Sequence, residues 1–113
     1  MLPHSGSANP TVLILGTLPS RRSMTELEYY AHPQNAFWWI MQHILQQPDW
    51  RDYEHKIGCL RDHRIQLWDV LSDAVRPGSL DSRIVSGTEQ VNPLVAHIEK
   101  LADLKVIGFN GQK

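Results

Sequence analysis

Three stretches of the chain are apolar almost without interruption, and all three are short. Residues 11–16, TVLILG, pass through β-branched and branched aliphatic side chains to a glycine, a run that predicts a strand buried on both faces. Residues 65–71, IQLWDVL, and 105–110, KVIGFN, read the same way. Between them the apolar period changes. From Asn35 onward, Ala36, Phe37, Ile40, Met41, Ile44 and Leu45 recur at helical spacing until Pro48, which predicts an amphipathic helix with Asn35 near its N-cap. Residues 92–104, NPLVAHIEKLADL, predict another, with Asn92 as N-cap and Pro93 in the first turn. Residues 50–64 are compatible with a helix, which Gly58 weakens.

The predicted order is strand, helix, helix, strand, helix, strand. Such alternation implies an α/β fold with parallel pairing and right-handed crossovers. In sheets of this kind ligands gather outside the carboxyl ends of the strands, which here are GTLPS (16–20), DVLS (69–72) and FNG (109–111). Residues 1–10 read as a loose leader. Residues 72–90 carry Pro, Gly, Ser and Asp repeatedly and read as a long loop of functional size. The 113 residues suit a single domain, 1–113. A strand pattern that runs straight into the last residues leaves one layer of such a fold uncovered, so a C-terminal continuation is expected.

Eleven basic and twelve acidic residues give a net charge of -1. No global positive field advertises nucleic acid, and any basic footprint must be local. The lone Cys59 excludes an intramolecular disulfide and cannot supply a thiolate-held iron–sulfur cluster. No apolar run is long enough for a membrane span or a signal peptide, so a cytoplasmic location is expected.

Candidate chemistry concentrates early. GTLPS has one glycine, too few for a dinucleotide fingerprint, and lacks the ending of a P-loop. A standard nucleotide cofactor is therefore disfavoured, and an ordinary turn explains these five residues about as well as a ligand loop does. Arg21, Arg22 and Ser23 could contact phosphates or be solvated surface. In YYAHPQNAFWWI (29–40), Tyr29 and Tyr30 precede a His-Pro turn and Asn35 follows it. Flat rings near a strand end suit stacking on a nucleobase, with Tyr30 the first candidate and Phe37 and one of the tryptophans assigned to the core. His55, Cys59 and His63 share a helical stripe, but the outer two stand about 12 Å apart along the axis, too far for one metal ion. No metal is expected. Asp69, Asp73, Asp81 and Ser82 could orient water or simply cap loops. Asn110 offers the donor and acceptor needed to read a base edge, or forms an Asn-Gly turn.

Taken together, LILGTLPS, YYAHPQNAFWWIM, LWDVL, SLDS and IGFNG resemble the uracil-DNA glycosylase superfamily, and the combination with FNGQK is most similar to its DNA-deoxyinosine, or hypoxanthine-DNA, glycosylase branch. The resemblance spans residues 12–113. It implies a three-layer α/β/α sandwich on a short parallel sheet and monofunctional base excision without a cofactor. The implied partner is DNA carrying a deaminated base; no obligatory protein partner is expected. It further implies Asn35 as the catalytic residue, because Leu18 stands where related branches place a water-handling polar residue. On this reading Tyr30 stacks on the flipped base, Gly16, Thr17 and Leu18 line its pocket, Asn110 bonds its edge, and Ser20 and Arg21 hold phosphates. Hypoxanthine is the favoured base and uracil the next. The family's Ser/Pro-rich C-terminal loop has no counterpart in the sequence. Two other readings stay open: a catalytically silent nucleic-acid or nucleotide-binding module of the same fold, and an enzyme acting on free nucleosides.

Overall fold

In the computed structural model, the described residues are 3–16, 28–31, 36–73 and 90–110. Their centre is the parallel trio that the apolar runs predict. Strand β2 (Val12–Gly16) lies between β3 (Ile65–Asp69) and β6 (Val106–Phe109), parallel to both. The register pairs Leu13 with Gln66 and Ile107, and Gly16 with Asp69. Every residue of β3 is buried, as expected of a parallel strand covered on both faces.

The sheet has a fourth described strand. Ser5–Gly6 forms β1, antiparallel to β3, giving the order β1-β3-β2-β6. The segment read as a loose leader is thus pinned, and a mixed sheet replaces the purely parallel one expected. Gly6 makes this possible: its φ is +101°, and a Cβ there would collide with the Ile65 carbonyl. Ser7 and Pro10 are buried behind it. The alternation rules missed the strand because two residues among Gly, Ser, Pro and Asn carry no hydrophobic period.

Helix α1 (Phe37–Ile44) buries Phe37, Trp38 and Met41. Its N-cap is Ala36, without a side-chain cap bond. Ile40 and Ile44, read as part of the core stripe, are exposed; the stripe rotates toward Trp38, whose indole has more surface to bury. Helix α2 (Tyr53–Asp62) starts on Asp52, whose carboxylate accepts from the His55 N–H at 2.8 Å. A two-stranded ribbon, β4 (Leu71–Asp73) with β5 (Gln90–Val91), precedes α3 (Leu94–Glu99). The cap of α3 is Pro93 rather than Asn92, and Asn92 is used elsewhere, as described below.

His97 of α3 donates through Nε2 to Gln66 Oε1 at 2.6 Å, and Gln66 in turn donates to the Ser7 carbonyl at 2.9 Å. The His97 ring also lies 4.7 Å from that of His4 and 4.6 Å from Trp68. Burial, then the neighbouring His4 and Lys100, hold its pKa below the ordinary histidine value. The unfolded chain therefore takes up this proton more readily than the folded one, so the stabilisation is complete above about pH 6.5 and is lost as pH falls from there through the depressed value. Thermal melts across this range should show a falling Tm toward acid, with a shallower fall in His97→Gln.

Candidate functional site

Three strand ends meet at the carboxyl edge of the sheet. The Asn110 N–H donates to the Leu15 carbonyl at 2.8 Å and the Val70 N–H to the Gly16 carbonyl at 2.8 Å, so the residues after β6 and β3 are tied to the end of β2. Gly16 is at the point of contact. A Cβ on it would stand 2.5 Å from Asp69 Oδ1, 3.2 Å from the Tyr30 hydroxyl and 3.8 Å from the Asn110 carbonyl oxygen. Only a residue without a side chain lets these groups converge. The structure therefore brings together Gly16, Tyr30 and Asn110, three of the residues nominated from sequence. Thr17, Leu18, Ser20, Arg21 and Asn35 lie outside the described residues.

Tyr30 is held by its backbone and by a second ring. Its φ of 55° is left-handed, an uncommon conformation for a bulky residue, and its ring stacks on Phe37 at a centroid distance of 4.0 Å and an angle of 28°. One face of the tyrosine is thus already engaged by an aromatic partner. Tyr29, next to it, belongs to the core at 2% exposure. Its carbonyl accepts from the Trp38 indole at 2.8 Å, and its N–H donates to the Tyr53 hydroxyl at 3.0 Å. Burial, with the nearby Asp69 charge second, drives the Tyr29 phenol pKa upward and keeps it neutral. The tyrosine pair thus divides its work, Tyr29 anchoring the segment and Tyr30 facing the strand ends.

Asn110 is exposed at the mouth of a groove between α1 and β6, lined by Ile14, Phe37, Ile40, Met41 and Phe109. The groove is apolar along its length and polar at the end that meets the site, as ligand sites commonly are. Two further residues join this edge: Asp69, offered by the sequence as one of several carboxylates able to orient water or cap a loop, and Asn92, read there as a helix cap. Asp69 is 3% exposed and sits directly beside Gly16. Asn92, also 3% exposed, donates from Nδ2 to the Asp69 carbonyl at 2.7 Å and from its backbone to the Val70 carbonyl at 2.9 Å. Asn92 fastens the end of β3 to the start of α3. Its long-range role had no sequence signal beyond a residue type that also caps helices.

The second cluster from sequence resolves differently. His55 Nδ1 accepts from the Arg51 N–H at 3.2 Å, and His63 Nδ1 donates to the Cys59 carbonyl at 2.9 Å. Cys59 is buried, and burial followed by the Asp62 charge pushes its thiol pKa up. Among the described residues no group of three His, Cys, Asp or Glu side chains is placed to hold a metal ion. No described helix is long and apolar enough to cross a membrane.

This geometry has close counterparts. The chain superimposes on the solution NMR structure of a protein provisionally assigned as a uracil DNA glycosylase, from Methanosarcina acetivorans, with a TM-score of 0.83 and 37% identity over 99% of this chain and 69% of that one. It belongs to the uracil-DNA glycosylase superfamily. Within the superfamily its sequence is similar to hypoxanthine DNA glycosylases. It is 40% identical over 107 residues to a hypoxanthine DNA glycosylase of M. acetivorans and 33% identical over 106 residues to one of Methanosarcina barkeri. Each match takes in 93% of this chain, which spans 66% of the length of these curated relatives. No family model matches the chain.

Proposed function

We propose that this superfamily member is a monofunctional DNA glycosylase that hydrolyses the N-glycosidic bond of a flipped, deaminated base, with hypoxanthine in deoxyinosine preferred and uracil second. The observation that carries the reading is the convergence of Gly16, Tyr30 and Asn110 at the carboxyl ends of the strands, where α/β sheets receive ligands. Chemistry on a base inside a duplex requires extrusion of the nucleotide, at a cost of about a few kcal/mol that falls when the pair is weak. Hypoxanthine pairs imperfectly with most partners and meets that condition.

Tyr30, backed by Phe37, offers a rigid ring on which the extruded base can stack. Gly16 with Thr17 and Leu18 lines the base pocket with backbone, and Asn110 bonds the base edge through its amide. Asn35 holds the attacking water or stabilises the charges that develop as the bond opens. Ser20 and Arg21 grip flanking phosphates. Hydrolysis leaves an abasic site in the DNA.

Incubation with a duplex bearing one deoxyinosine, followed by alkali, tests the reading. Strand breakage at the inosine is expected, and Asn35→Ala should reduce it by at least about 100-fold, the scale of losing one preorganised transition-state group, with the circular dichroism spectrum unchanged. Binding of the duplex without breakage would instead identify a silent module, and release of hypoxanthine from free inosine a nucleoside hydrolase.

A further inference from the structure

We infer that Asp69 assists base release by its negative charge, held beneath the site floor without touching the substrate; the inference rests on the glycosylase reading. Asp69 is the last residue of β3 and is paired in register with Gly16. Its Oδ1 and the Tyr30 hydroxyl both press on the space a Gly16 side chain would fill. The Asn92 amide fixes the Asp69 carbonyl from the far side. At 3% exposure the carboxylate is shielded from solvent, so its field is little screened by water or salt.

The reaction has a use for such a charge. As the bond between C1′ and the base nitrogen breaks, its electron pair leaves with the base and the sugar becomes cationic. A water oxygen then bonds to C1′ and gives up a proton, and the departing base gains one, so atoms and charge balance with water as the only co-reactant. A fixed anion stabilises the cationic stage more than the neutral substrate, and a preorganised one does so without reorganisation during the reaction.

Asp69→Asn preserves shape and removes the charge. In single-turnover reactions on deoxyinosine DNA the variant should lose about 100-fold in rate, the usual scale for one electrostatic group, while its affinity for the same DNA is unchanged. A second readout separates charge from packing. Wild type should bind duplex DNA containing a cationic pyrrolidine abasic analogue more tightly than DNA with the neutral tetrahydrofuran analogue, and Asp69→Asn should lose that preference. A variant that keeps the wild-type rate, or the wild-type preference, overturns the role of Asp69 and leaves the glycosylase reading standing. If Asp69→Asn does not fold, the wild type decides: a preference for the cationic analogue that persists in high salt supports the proposal, and its absence overturns it. Wild type that releases no base from any duplex refutes the glycosylase reading, and the role of Asp69 falls with it.

Discussion

Gly16→Ala is expected to abolish base release and to lower the unfolding free energy by about 1–3 kcal/mol, the range for forcing an extra carbon into a packed position. The added methyl would stand 2.5 Å from Asp69 Oδ1, closer than two such atoms can approach, and 3.2 Å from the Tyr30 hydroxyl. Neither neighbour can swing away cheaply. Asp69 has a short side chain, 3% exposed, and Tyr30 is fixed by its left-handed backbone and its stack on Phe37. Relief must come from movement of the strand ends themselves, the edge on which the site is built. Urea unfolding and the deoxyinosine strand-break assay measure the two effects. A variant with full turnover would show that the strand-end junction is not the reaction centre.

Trp38→Ala should cost more stability, about 3–5 kcal/mol by the usual scale for a buried aromatic. The indole is 5% exposed and meets Phe37, Trp50 and Tyr53 edge-on at centroid distances of 5.0, 5.9 and 6.2 Å. The Lys56 ammonium sits 5.4 Å from its ring centroid. Its N–H also supports the Tyr29 carbonyl, and the Trp38 carbonyl accepts from the Trp50 indole at 2.8 Å. Trp38→Phe isolates the hydrogen bond: it keeps much of the ring surface and removes the indole donor from the Tyr29 carbonyl, which should cost about 1 kcal/mol. Both variants should slow base release, because Tyr29 is the anchor from which Tyr30 is positioned. Denaturation midpoints and single-turnover rates, measured on the same preparations, check the pairing of the two losses.

Strands β2 and β3 were legible because burial leaves an uninterrupted apolar run, as in TVLIL and IQLWD, whereas β6 carries a similar run but exposes Val106, Ile107 and Phe109 among the described residues. The position of Tyr30 at the strand ends was legible because an aromatic beside a turn at a strand end has a reason to be there other than packing. Its stack on Phe37 was not, since the two rings meet across seven residues of chain whose path no periodicity specifies. Asp69, one of four residues that could orient water or cap a loop, and Asn92, read as a helix cap, could not be tied to each other for a related reason. A carboxylate after an apolar strand and an asparagine before a proline each have a sufficient local explanation, and only the register of Gly16 against Asp69 reveals the shared one. The antiparallel β1 was missed because pairing there depends on a glycine backbone rather than on side chains.

The opposed direction of β1 has a practical corollary. Because Ser5 lies across from Leu67 and Gly6 across from Gln66, travelling back toward His4 and Pro3 leads forward along β3, to the rim bearing Asp69. If the glycosylase proposal holds, an affinity handle at this end of the chain would start from the flank at which a duplex would land, and cleaving it off before measuring DNA affinity would remove a steric competitor.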